Sequence, residues 1–470
     1  MPRVPYERCH QPHVKAAMSK IEQRLGREMM QNSAVLGMIK IVEEFLRRKK
    51  LVCYGGTAIN NVLPKRLQFY DTDVELPDYD FFSPDPVRDA KELANIYARN
   101  GYSHVVASAG VHGGTFKVHV EYVPVADITF LDPRLYAAMR DHTVQVDGIH
   151  YAPPIYLRML MHLELSRPDG DVSRWDKVAN RLALLDQAYP MKEQGCTARV
   201  RSAITDHHKA FDTKFPGIFK KLRKPLSVEG VVFSGSFAVA ELNHALRRTK
   251  MPPITGPVPM VVITTDLKAT VAIAKKVLTG EGARPKADEH AEVGEVVPKH
   301  ISLSVDGEVV FVAFDALQCH AYSTVGIDKV FYRIATIDTM LTLYLPFIMV
   351  STAVFPKEII TCLCNDLSDI AKECEPRAHG VLARFDRPCY GTQDTLADIR
   401  RKKDANFRRL KGKEDAASRK EWTYYFMRYE PRKPAGSSPP GADAAPAKKG
   451  GRRTRRGRKS ARSNTRRRRR

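Results

Sequence analysis

Three short features follow one another in the first third of the chain: Gly55–Gly56–Thr57, then Asp78–Tyr79–Asp80, then Asp127. Asp78 and Asp80 are two residues apart in an extended, apolar context with Phe81 and Phe82, so their side chains leave the same face of a strand. Asp127 sits between Val125–Ala126 and Ile128. Carboxylates embedded in apolar strands are costly unless a partner compensates them, and hard divalent cations take oxygen ligands of this kind. Three such carboxylates suit the transfer of a nucleotidyl group from a triphosphate to a hydroxyl. There, two ions about 3.5–4 Å apart serve the attacking and leaving oxygens. Mg²⁺ or Mn²⁺ is the expected pair, with Asp78 and Asp80 bridging and Asp127 completing the set. A Gly–Gly turn opening a helix lets backbone N–H groups approach phosphates at the positive end of the helix dipole, and the Thr57 hydroxyl adds a donor. Each feature alone has a plain alternative: a solvated turn, a tight-turn glycine, a structural aspartate. Their order and apolar flanks favour chemistry.

The elements that must position them are legible in outline. Val35, Leu36, Met38, Ile39, Ile41, Val42 and Phe45 give a helical apolar face within a helical region reaching Leu51. Leu51–Tyr54 reads as a strand, followed by the Gly turn and a helix through Val62. A second strand carries the Asp pair and ends at Pro84, and Asp89–Asn100 reads as a helix closed by Gly101. Thr115–Tyr122 and Val123–Phe130 read as strands, and Pro153–Leu165 and Arg174–Leu185 as amphipathic helices. The insert Leu63–Pro77 contains a second acidic pair, Asp71 and Asp73, which is rejected as a metal site because no apolar strand surrounds it.

The order of elements then repeats. Val231–Ser236 is again a strand and small-residue turn before a helix, Met260–Ile263 a strand, and Thr270–Leu278 a helix. Ile301–Val305 with Val309–Phe314 forms a strand pair, and Ile327–Tyr344 reads as helical. The repeat suggests a duplicated module. Its second copy keeps Gly235–Ser236 but offers Val262–Ile263–Thr264 in place of the Asp pair, with Asp266 nearby and Asp315 as the echo of Asp127. It is expected to be catalytically dead and to serve support or RNA binding. Asp404–Glu421 reads as one exposed helix.

The fold class expected is α+β: a mixed sheet flanked by helices, a degenerate second copy, and a basic tail. The boundaries read as 1–50 (helical), 51–190 (catalytic), 191–430 (second module) and 431–470 (tail). At 470 residues the chain exceeds what one core sustains. Its net charge is +23, but 16 Lys and Arg against one acid fall between Arg432 and Arg470, leaving +8 for the rest. Arg452, Arg453, Arg455, Arg456, Arg458 and Arg466, Arg467, Arg468, Arg469, Arg470 form a polycation suited to RNA phosphates without sequence reading. Its composition predicts disorder. RNA tethering, nuclear targeting and general genome contact are its open uses. The eight cysteines are scattered, and a stapled secreted fold is not expected. Cys362, Cys364, Cys374 and Cys389 lack paired zinc spacing and read as buried thiols. No signal peptide or membrane span is read, and Met340–Phe355 reads as a buried helix.

The segment Tyr54–Asp132 resembles the nucleotidyltransferase superfamily. It looks most like the poly(A) polymerase catalytic subunits of poxviruses and giant DNA viruses, on YGGTAIN (54–60), PDYDFFS (77–83), VPVADIT (123–129) and LSRPDGDVSRWDKV (165–178) with Arg181. The spacing from Gly56 to Asp78 is longer than in many superfamily members. The resemblance implies that Asp78, Asp80 and Asp127 bind the metals and that Gly55, Gly56 and Thr57 meet the phosphates of ATP. Arg174, Lys177 and Arg181 share one helix face and point to the triphosphate, with a solvated basic face as the alternative. The activity implied is template-independent addition of AMP to mRNA 3′ ends in an intracellular, soluble, viral setting: host cytoplasm, viral factory or virion. The partners implied are RNA, ATP, and either a second copy or a viral processivity subunit. A nucleotidyltransferase with another acceptor or nucleotide, and an inactive RNA-binding scaffold of the same fold, stay open. A basic packaging protein would explain the tail alone.

Overall fold

The computed structural model describes residues 11–71, 73–191, 196–202, 212–246, 259–294, 296–350, 352–374 and 380–432. The Arg-rich run 452–470, read above as an RNA-binding tail, lies outside them.

Two helices lead in: α1 (Gln11–Met30) and α2 (Ser33–Lys49), the latter capped by the Asn32 side chain. α2 buries Val35, Met38, Val42, Phe45 and Leu46. Next come β1 (Val52–Tyr54), α3 (Gly55–Val62), β2 (Asp80–Ser83), α4 (Pro86–Arg99), β3 (Val106–Ala109), β4 (Thr115–Val120) and β5 (Val123–Phe130). α5 (Pro133–Arg140), β6 (Val144–Val146), β7 (Ile149–Tyr151), α6 (Pro154–Leu165) and α7 (Trp175–Ala188) complete the first unit. The second holds α8 (Ile218–Glu229), β8 (Val232–Ser234), α9 (Gly235–Ala245), β9 (Met260–Thr264), α10 (Leu267–Gly280), β10 (Lys286–His290), β11 (His300–Val305) and β12 (Glu308–Asp315). It ends with β13 (His320–Ile327), β14 (Val330–Ala335), α11 (Ile337–Met349), α12 (Lys357–Cys374) and β15 (Cys389–Tyr390). Last are α13 (Leu396–Leu410), α14 (Ala416–Phe426) and β16 (Arg428–Tyr429).

The duplication is topological. One eight-stranded sheet runs β16-β3-β4-β5-β2-β1-β7-β6 and the other β10-β11-β12-β9-β8-β14-β13-β15. From β3 to β6 and from β10 to β13 the order matches strand for strand. So does the sense: β1 is antiparallel to β2 and parallel to β7, β2 is parallel to β5, and β8, β9, β12 and β14 repeat this. The fold is thus the expected mixed-sheet α+β class with a second copy. In the first sheet Phe81, Phe116, Val118 and Ile128 fill the core face against Leu93 and Tyr97 of α4. The opposite face carries the polar alternates.

Three local expectations change. Ile327–Tyr344 is not one helix: β13 and β14 form a hairpin through Asp328 and Lys329, both left-handed, and only α11 is helical. Its strands alternate with period two, a signal hidden by the apolar run that follows. Asp404–Glu421 is two helices, broken by a turn at Gly412, whose φ is 79°. After them the chain returns to the first sheet, where Arg428 and Tyr429 pair with Ser108 and Ala107 at its edge.

Met340–Phe355 is largely the buried α11, and among the described residues no helix is long and apolar enough to cross a membrane. The thiol reading changes too: Cys196 is bonded to Cys362 and Cys319 to Cys389, across separations of 166 and 70 residues. Sequence spacing carries no trace of such pairings. Donor atoms of Asp169, Cys319 and Cys389 lie within 4.8 Å of one another, but the two sulfurs hold each other.

Candidate active site

The Asp pair is presented by the end of β2. Tyr79, 3% exposed, turns to the core face and donates its hydroxyl to Glu43 Oε1 at 2.7 Å, which holds its neighbours Asp78 and Asp80 outward. The Asp127 N–H donates to the Tyr79 carbonyl at 3.0 Å, so the ladder reaches past the strand start and fixes Asp78 beside β5. Register does the rest. Asp80 lies opposite Asp127 on the parallel β5, and opposite Tyr54 on the antiparallel β1, the last residue before Gly55. All three carboxylates and the Gly–Gly turn therefore meet at one end of the sheet.

Burial pushes the Asp80 carboxyl up to about 7, helped by the charges of Asp78 and Asp127 and opposed by Lys117 and Arg174. Asp78 is raised as well, by burial and then by Asp127. Such a trio repels itself and is relieved by cations. Lys117 supplies one: it stands opposite Asp127 on β4 and donates its ammonium to Asp127 Oδ2. Sequence reading missed it, and the only available signal was its place in the polar alternation Thr115, Lys117, His119.

Gly55 is left-handed, φ 76°, and a Cβ there would overlap Asp80 Oδ2. A Cβ on Gly56 would overlap the Tyr70 hydroxyl and lie 3.1 Å from Arg181 Nη1. Gly55 is thus favoured by its left-handed backbone as well as by close approach, whereas a methyl at Gly56 would press on the ends of the Tyr70 and Arg181 side chains. Thr57 is placed differently from the expectation. Its hydroxyl donates to the Asp78 carbonyl at 2.7 Å, tying α3 to the Asp pair.

The insert between Gly56 and Asp78 has a visible function. Asn60 Oδ1 accepts from the N–H groups of Phe69 and Tyr70 at 2.8 and 3.0 Å, folding the insert back onto α3. The Arg181 guanidinium lies 4.7 Å from the Phe69 ring centre and donates to the Tyr70 hydroxyl at 2.8 Å. Arg181 is 9% exposed and points at Gly56. The charge of Arg181, then burial, holds the Lys177 amine below its usual range. Arg174 sits in the short 3₁₀ turn before α7, paired with Glu164 at 3.3 Å, and its charge acts on Asp80. Arg181 and Arg174 thus border the candidate site, with Lys177 beside Arg181. The rejected pair makes a turn instead: Asp71 Oδ1 caps the Asp73 N–H at 3.0 Å.

The second module lacks this constellation. Ser234 precedes the left-handed Gly235 as Tyr54 precedes Gly55, and it pairs with Val261. Val261 in turn pairs with Val312 of β12. Apolar residues therefore stand where Asp80 and Asp127 stand. This register corrects the sequence alignment, which set Val262–Thr264 and Asp315 there. Asp315 is three positions further along its strand, opposite Thr264. Tyr344 fills the corresponding space, its hydroxyl 2.9 Å from Ser234 Oγ.

The family model for the poly(A) polymerase catalytic subunit matches residues 40–171. This is the family that the motifs resemble. The matched stretch holds the Gly–Gly turn, all three carboxylates and Lys117, whereas Arg174, Lys177 and Arg181 follow it. A poly(A) polymerase catalytic subunit of African swine fever virus (strain Badajoz 1971 Vero-adapted) is 33% identical over 159 residues, 33% of each chain. One of Acanthamoeba polyphaga mimivirus is 29% identical over 160 residues, 33% of this chain and 27% of the relative. The match thus spans a third or less of these relatives' length. The crystal structure of the Megavirus polyadenylate synthase superposes with a TM-score of 0.72 at 20% identity, over 92% of this chain and 86% of that one. The fold is therefore shared over both modules.

Proposed function

We propose that the chain is a template-independent poly(A) polymerase that adds AMP from ATP to RNA 3′ ends. One observation carries the reading: Asp78, Asp80 and Asp127 converge beside the Gly55–Gly56 turn at one sheet end, in the stretch that matches the family model. The donor set fits divalent ions, being three hard carboxylates, two of them raised in pKa by burial and mutual repulsion. When bound, Mg²⁺ or Mn²⁺ supplies charge at the attacking 3′-oxygen and the leaving pyrophosphate. Asp78, Asp80 and Asp127 hold the ions. Backbone N–H groups of Gly55 and Gly56 bind the triphosphate. Arg181, pre-set by Phe69 and Tyr70, presents its fork to the same phosphates, with Lys177 and Arg174 alongside. Lys117 orients Asp127. In this reading residues 51–190 together with β16 are the catalytic unit, and the rest of 191–430 is its support.

The test is extension of a labelled RNA with each NTP separately, in Mg²⁺ or Mn²⁺, beside the Asp78→Ala/Asp80→Ala variant. A tail made from ATP alone and absent in the variant is expected. Extension by several nucleotides would remove the adenylate claim. RNA binding without extension by any nucleotide, even with infected-cell extract, would favour an inactive scaffold.

Gly55→Ala is a sharper probe of the turn. The new methyl must displace the Asp80 carboxylate and strain a left-handed backbone. A displacement near 1 Å costs about 10²-fold in rate. The single-turnover rate is expected to fall by that order, with the melting temperature lowered by only a few degrees through the strained backbone. An unchanged rate would mean that Gly55 does not set the Asp80 position.

A further inference from the structure

The hairpin joining β4 to β5 turns through Glu121 and Tyr122, at φ 48° and 70°. Two-residue hairpins of this hand favour Asn–Gly, because side chains at positive φ cost about 1 kcal/mol or more each. Here the position suited to glycine carries a tyrosine whose side chain is 80% exposed. Its ring stacks on His104, with centroids 5.2 Å apart and planes 27° from parallel. His104 is itself left-handed, φ 51°. Glu121 ties the corner together, accepting from Ser103 Oγ at 3.1 Å and Ser103 N–H at 3.4 Å. Three strained non-glycine residues thus hold one flat, solvent-facing aromatic stack.

The stack has a defined place relative to the carboxylates. β5 starts directly after Tyr122 and is parallel to β2, so the hairpin projects from the sheet end that carries Asp78, Asp80 and Gly55. From Val123 to Asp127 is four residues, about 13 Å of strand. Lys117 stands on β4 opposite Asp127, at the carboxylate end of that span. A single strand ending at the carboxylates passes a cation and then an exposed ring pair within a few nucleotides.

We propose that Tyr122, stacked on His104, is a base-stacking platform for the RNA just behind its 3′ end; this rests on the polymerase reading above. Aromatic stacking accepts any base and adds no sequence readout. That suits an acceptor that must advance after every addition.

The experiment uses the full chain and a fluorescein-labelled single-stranded oligoadenylate without ATP. Salt is set high enough to screen contacts to the Arg-rich run. Tyr122→Ala and Tyr122→Gly are expected to weaken binding about ten-fold, and Tyr122→Trp to retain it. Tyr122→Gly is expected to raise the melting temperature while weakening RNA, since it relieves the left-handed backbone; a misfolded variant would lose both. In the extension assay the KM for RNA rises in the Ala variant and kcat at saturating RNA stays. Unchanged binding and KM in the Ala variant would overturn the platform and leave the polymerase reading intact. Weakened oligoadenylate binding in a chain that extends no RNA would keep the platform and sink that reading.

Discussion

Asp80→Asn is expected to raise the melting temperature at pH 8 in metal-free buffer and to abolish RNA extension in the same preparation. The carboxyl is pushed up to about 7, first by burial and then by Asp78 and Asp127, against about 3.9 in an unfolded chain. A carboxyl raised by folding favours the folded state while protonated, and its ionisation then costs stability. The penalty is absent below pH 4, grows through the window from 4 to 7, and is complete above it. The asparagine keeps the shape and removes the charge. The wild-type melting temperature should therefore fall as pH rises across that window in EDTA. The variant should fall less, and the two curves should meet near pH 4. Mg²⁺ should stabilise the wild type at pH 8 by binding only its folded state, and the variant much less. The rate loss is expected to be roughly 10²–10³-fold or more, as when one preorganised electrostatic partner is removed. Scanning calorimetry over pH, with and without Mg²⁺, reads this directly. A variant less stable than wild type in EDTA at pH 8 would show that Asp80 is held by structure and not poised for a cation.

The paired gain and loss explain what was legible beforehand. Asp78 and Asp80 were readable because their signal is local: two acids at strand spacing in apolar text. Asp127 was readable for the same reason. Their convergence depends on which strands pair, and that is a long-range fact. Lys117 became part of the site only through its register opposite Asp127, and the second module could be aligned only when Ser234 was seen to pair with Val261 and Val261 with Val312. Helix-face logic grouped Arg174, Lys177 and Arg181, although Arg174 lies in the 3₁₀ turn before α7 and not on the helix itself. It could not show that an insert of unknown purpose would clasp Arg181 between Phe69 and Tyr70. Thr57 failed in detail because a hydroxyl beside a glycine turn can serve a phosphate or the neighbouring backbone, and only geometry chooses. The β13–β14 hairpin was misread because turn signals such as Asp328–Lys329 are weaker than the long apolar run beside them.

A buried ionic group that no motif announced joins α6 of the first module to α11 of the second, and removing its carboxylate should be strongly destabilising. Asp338, on α11, is 0% exposed. It accepts from His162 Nδ1 of α6 at 2.8 Å and from Arg384 Nε and Nη2 at 2.9 and 2.8 Å. Burial alone pushes its carboxyl up, but the Arg384 charge and hydrogen bonds from Arg384 and His162 reverse this, holding it well below the usual carboxylate range. A depressed carboxyl contributes stability that is present above its unfolded value and lost as pH falls through its folded one. At neutral pH the contribution is complete. Asp338→Asn removes the carboxylate facing the Arg384 guanidinium, whose side chain is only 12% exposed. Breaking a buried pair from one side costs about 3–5 kcal/mol. Urea titration at pH 7.5 is expected to show that loss, with the transition splitting in two as the modules part. The double variant Asp338→Leu/Arg384→Met should recover much of it, because apolar partners of similar volume need no counter-charge. RNA extension at low temperature should survive in both, since Asp338 touches none of the residues at the carboxylate site. If Asp338→Asn instead unfolds at the wild-type midpoint in a single transition, the junction is held by the apolar contacts of α6 and α11, and the ion group is incidental to it.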